Sequence, residues 1–124
     1  MRKELHDFSP DCMVISNNST AVQTFSSIKH VVQLPGAPED FLRNKNNHLL
    51  DALIVFHKAV GVTDEEKEKW TEELNKDAIV DEQGNQFIKV CSHQGEGADD
   101  DVVNKRTFVV YRRVKGFDFN PGMP

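Results

Sequence analysis

The sequence predicts an α+β fold in one domain: a mostly antiparallel sheet of four to five strands, one main amphipathic helix packed across it, and a short polar surface helix. Three observations carry this. Asn47 to Val60 is the longest strongly apolar run and shows helical spacing, the C-terminal third reads as strands, and no linker or repeat divides the 124 residues. A chain of this length can bury a core without disulfide or metal staples.

Residues 1–10 read as a loosely held arm closed by Ser9-Pro10. Arg2 and Lys3 are not followed by an apolar stretch, so a secretory signal is not expected there. Cys12-Met13-Val14-Ile15-Ser16 is short and apolar and predicts a buried strand, ended by the turn chemistry of Asn17-Asn18-Ser19-Thr20. Residues 21–34 support two readings. Val22, Phe25, Ile28 and Val32 would line a helix, whereas Ile28, His30, Val32 and Leu34 alternate as a strand does. The β-branched content favours extended structure in the second half. Leu34-Pro35-Gly36-Ala37-Pro38 breaks the chain, a turn rather than a proline-rich ligand. Pro38-Glu39-Asp40-Phe41-Leu42 then opens a helix, with proline in the first turn and acids at its positive end.

In the main helix, Leu49, Ala52/Leu53, Phe56 and Val60 recur at three- and four-residue spacing, and Leu50 and Ile54 widen that face. Asn47 caps its start and Gly61 ends it. Thr63 and Glu66 form a capping box that opens the polar helix, which runs to about Lys76 with only Trp70 and Leu74 on an apolar stripe. Ala78-Ile79-Val80 and Gln86 to Cys91 flank a turn bearing Gly84, a hairpin. Gln94 to Asn104 reads as an acidic, glycine-bearing loop, and Arg106 to Val114 as the best strand of the chain. Residues 117–124 form a second loosely held arm, where Phe117 and Phe119 are the docking candidates.

Composition narrows the function classes. The charged fraction of 28% and apolar fraction of 38% are those of an ordinary globular chain, and the net charge of -5 gives no bulk attraction to nucleic acid or anionic lipid. No apolar run approaches the roughly 18 residues that span a bilayer. Cys12 and Cys91 lie far apart and read as free thiols of a reducing compartment, so the expected localisation is cytoplasmic. No glycine-rich phosphate loop, Gly-x-Ser-x-Gly or His-Glu-x-x-His pattern occurs, so neither catalysis nor a cofactor is expected.

Several features remain as candidates. Cys91 and His93 share one strand face, but a zinc site needs two further ligands, and a buried structural thiol is the simpler reading. His48 and His57 fall on opposite sides of the main helix. Asp99, Asp100 and Asp101 with Glu96 lack the alternating spacing of a calcium loop. Trp70 reads as the anchor of its polar helix or as a hot spot for a partner. In the last strand, alternation places Tyr111, Arg113 and Lys115 on one face, near Arg106.

The predicted function is that of a small, non-catalytic acidic protein that binds and regulates or inhibits another protein. The partner would have a basic surface, met by Trp70, Glu66, Glu73, Asp99, Asp100 and Asp101. Self-association as a homodimer through an edge strand is a further mode. The alternative is a single-stranded nucleic-acid-binding domain, with Tyr111 stacking on a base and Arg113, Lys115 and Arg106 on phosphates.

Overall fold

A computed structural model describes residues 10–58 and 62–114. In chain order these form β1 (Met13–Ser16), α1 (Ser19–Phe25), β2 (His30–Gln33), α2 (Pro38–Leu42), a 3-10 turn (Asn47–Leu49), β3 (Ala52–Phe56), α3 (Asp64–Glu73), β4 (Ala78–Val80), β5 (Gln86–His93), α4 (Asp100–Arg106) and β6 (Phe108–Arg113). The two terminal arms, Val60, Gly61 and Lys115 lie outside the described residues, wholly or in large part for the arms. The fold is α+β, with one sheet. That sheet is six-stranded and mixed, in the order β2-β1-β3-β6-β5-β4, not mostly antiparallel with four or five strands. β1 runs parallel to both β2 and β3, and the β3–β6, β6–β5 and β5–β4 pairs are antiparallel.

The expected main helix is the largest correction. Its apolar run forms β3, and all five residues of that strand are buried. Ala52, Ile54 and Phe56 enter one core; Leu53 and Val55 enter the other. A strand covered on both faces has no polar residue at every second place, so its sequence loses the period of two and imitates a helix. Asn47 caps nothing. It is fully buried, and its Nδ2 donates to the Phe41 carbonyl and to Asp81 Oδ2, each at 2.9 Å. Burial pushes the Asp81 carboxyl up, but hydrogen bonds from Asn85, Asn47 and the Gln83 amide outweigh it and hold the group below its ordinary value.

Both faces of the sheet are covered because the crossovers leave in two directions. α1 contributes Val22 to the core of Val14, Ile54, Phe108 and Val110, while α2 and α3 contribute Phe41 and Trp70 to the core of Ile15, Leu53, Val109 and Tyr111. The ambiguous segment 21–34 holds both structures: Asn18 caps α1 by accepting from the Ala21 amide, and the second half is β2, the extended structure favoured for it. The strand at β1, the helix at Pro38, the capping box and the 78–91 hairpin all form where expected. Gly84 has φ of 88°, a left-handed turn position that suits glycine.

Within 94–104 the expected loop gives way to α4. Asp99 accepts from the Val102 amide, Asp100 and Asp101 sit in the first turn, and Lys105 and Arg106 in the last. The acid run is thus a helix start, with each sign of charge at the end of the dipole that favours it. Arg106 accordingly belongs to α4 and not to the strand. In β5 the pairing slips between Lys89 and Cys91, so Phe87 packs in one core and Cys91 against the other. An inserted residue of this kind reverses which side of a strand faces which core.

Candidate functional site

Trp70 is the anchor of α3. It is 4% exposed, its ring lies 6.1 Å from that of Phe41, and its Nε1 donates to the Gly36 carbonyl at 3.0 Å. Most of the acidic candidates are tied into local structure. Glu66 Oε1 accepts from the Thr63 amide at 3.0 Å, completing the capping box. Glu73 is half-buried and pairs with Lys76 at 2.9 Å. Asp99 caps α4, and Asp101 pairs with Lys58 and, at 3.0 Å, with Lys105. Asp100 is exposed in the first turn of α4.

The residues proposed to hold nucleic acid are dispersed. Alternation along β6 is as expected, but both of its faces are covered: Val109 and Tyr111 pack in the core with Phe41 and Trp70, Phe108 and Val110 in the core with Val22. Tyr111 is fully buried and its hydroxyl donates to the Lys76 carbonyl at 2.9 Å. Burial, with Glu73 and Asp77 nearby, pushes its phenol up to about 12. A base cannot stack on a ring packed inside the core. Arg113 is half-buried and its Nε donates to the Leu50 carbonyl. Arg106, on α4, donates from Nη1 to the Glu96 carbonyl at 2.8 Å. These two cations flank opposite ends of β6 and do not form one patch.

Cys91 and His93 do share a face. The His93 ring lies 5.0 Å from that of Phe108, and its Nε2 is buried without a hydrogen-bond partner. Among the described residues no three His, Cys, Asp or Glu side chains gather as a metal site would require. His48 is exposed, with Nδ1 3.1 Å from the Lys45 carbonyl oxygen. No helix among the described residues is long and apolar enough to cross a membrane.

Among the described residues, the β2 edge presents unused backbone bonding capacity. The Leu34 amide donates to the Ser16 carbonyl at 2.9 Å. In a parallel pair, backbone groups point to alternate sides, which turns the N–H and C=O of Val31 and Gln33 away from β1. Val32 is 42% exposed, and His30-Val31-Val32-Gln33 contains no proline, lysine or acid. Natural edges are commonly blunted by such residues or by bulges. β4, the opposite edge, has three residues and lies between Asp77 and Asp81, so it is shorter and flanked by charge. Sequence reasoning expected an edge strand without locating it, because edge and centre are properties of strand order.

Sequence reasoning also missed Asn17, whose signal is an amide side chain directly after a strand. Its Nδ2 donates to the Phe56 carbonyl and its Oδ1 accepts from the Phe56 amide, both at 2.9 Å. The side chain thereby continues the β1–β3 ladder beyond its last residue and fixes the carboxyl ends of the two strands. No protein-family model, curated protein or solved structure matches the chain.

Proposed function

We propose that this is a small non-catalytic protein that regulates a partner protein by taking an extended segment of it onto the edge of β2. The carrying observation is the outward backbone of Val31 and Gln33 beside the exposed Val32. A strand added there gains main-chain hydrogen bonds, and alternate side chains of the partner meet Val32 and its neighbours. The net charge of -5 favours a basic partner by speeding encounter and rejecting acidic competitors. A second copy of the chain, joined at the same edge, would occupy it in the same manner.

Gln33→Pro tests this. Its N–H points outward, so proline removes an outer donor without breaking the bond to β1. In a peptide-display selection, sequences enriched on the wild-type protein are expected to lose at least tenfold in affinity for the variant, with thermal stability kept. Their binding is expected to move the amide resonances of Val31 and Gln33. Peptides that bind both proteins equally would remove β2 as the interface.

A further inference from the structure

A separate feature lies at the carboxyl ends of the parallel strands β1 and β3. From β1 the chain passes to β2 on one side, then returns past β1 to β3 on the other. The helices that follow β1 and β2 therefore cover opposite faces, as Val22 and Phe41 show. Such a reversal opens a crevice at the carboxyl ends of the two diverging strands, the usual ligand position in open parallel sheets. Here the crevice is real: between the end of β3 and α3 lies a cavity of about 120 Å³. It shares His57, Thr71 and Leu74 with a wider recess of about 360 Å³ that reaches the end of β5.

Its lining has two kinds of wall. Trp70, Leu74, Phe56 and Val62 are apolar, and the Trp70 indole N–H is already used by Gly36, so only its carbon surface remains. The other wall carries Asp64 and Lys67 from the first turn of α3. Among the described residues neither makes a salt bridge, whereas the two neighbouring lysines do: Lys58 is taken by Asp101 and Lys69 by Glu39. His57, at the end of β3, is held below its ordinary value by burial and by the adjacent Lys67, so it adds a neutral ring and no competing charge. A carboxylate and an ammonium, both without an ionic partner among the described residues, thus share one small cavity with an apolar wall.

We propose that this crevice binds a free α-amino acid with an apolar side chain, its ammonium at Asp64, its carboxylate at Lys67 and its side chain against Trp70 and Leu74. Size supports the class. The inner cavity lies below the roughly 300–1,000 Å³ occupied by drug-sized ligands. Phosphate esters are disfavoured because Asp64 would repel them and no arginine fork is present to bind a dianion.

Trp70 is the single tryptophan of the chain and lines the cavity, so a ligand there is read in its emission with no other tryptophan contributing. Titration with L-leucine is expected to give a saturable change in Trp70 fluorescence. Lys67→Met and Asp64→Asn, both on the surface turn of α3, should each weaken it at least tenfold with unchanged melting temperature. Leucinamide, which lacks the carboxylate, should bind the wild type and Lys67→Met alike, and N-acetyl-leucine should be blind to Asp64→Asn. Absence of a saturable change with L-leucine, or the same affinity in both variants, would overturn the proposal.

Discussion

Tyr111 shows how one buried hydroxyl shapes the pH response of the fold. The ring is enclosed, its hydroxyl is satisfied by the Lys76 carbonyl, and Lys89 Nζ stands 5.9 Å from the ring centroid. Burial first, then the Glu73 and Asp77 carboxylates, raise the phenol from 10.0 to about 12. Below pH 10 both folded and unfolded chains hold this proton, and its contribution is constant. Above it the unfolded chain ionises first, so stability falls as pH rises and is lost through pH 12, by on the order of 2 kcal/mol from this group. Tyr111→Phe is expected to lower stability at neutral pH by about 1 kcal/mol, the worth of one hydrogen bond. It should also flatten the decline between pH 10 and 12 relative to wild type, measured by urea denaturation. An unchanged slope would place the titration elsewhere.

At the scale of elements, α3 illustrates how little apolar contact holds a polar helix in place. Asp64–Glu73 carries three acids in its first turn, and Trp70 is its one buried residue, with Leu74 following at the cap. The capping box secures its start through bonds between neighbouring residues, and its Glu66 carboxylate also lies against Gly36. Its attachment rests on Trp70, wedged by Phe41 and hydrogen-bonded to Gly36. Trp70→Ala is expected to cost about 3–5 kcal/mol and to loosen α3 and α2 together, seen as a lower urea midpoint and lost dispersion of methyl resonances. A variant with unchanged stability would return Trp70 to the surface and to a partner. The capping box, the proline start of α2 and the hairpin were legible in the sequence because each is a local agreement of neighbouring residues. α4 was not, since a short helix with Val102 and Val103 as its apolar content has too few positions to display a period.

Across the whole molecule, stability should grade from the centre of the sheet to its edges. β3 and β6 lie inside, with Ile54 opposite Val110 and both fully buried. Among the described residues, β2 and β4 have one pairing partner each. Hydrogen exchange is therefore expected to be slowest at the amides of Ile54 and Val110, near the global unfolding free energy. The amides of Val31 and Gln33 should exchange orders of magnitude faster. Protection of Gln33 comparable to that of Ile54 would mean that the β2 edge is already covered in solution, as by a second copy.

The chain by itself determined where most elements begin and end, its acidic balance and the mixture of helix and strand, because these follow from the chemistry of adjacent residues. Only the tertiary structure decided that the apolar run at 52–56 is a strand, that Tyr111 is core, and that β2 forms an open edge. Those outcomes depend on which strands become neighbours. Parallel pairing of β1 with both β2 and β3 joins residues distant in sequence, such as Val14 with Val31 and Ala52, and no local pattern specifies that order. The same order brings Asn17 to Phe56 and sets α3 over the crevice at the ends of β1 and β3. Long-range strand pairing, which fixes edge, centre and crevice together, is a property of the packed chain as a whole.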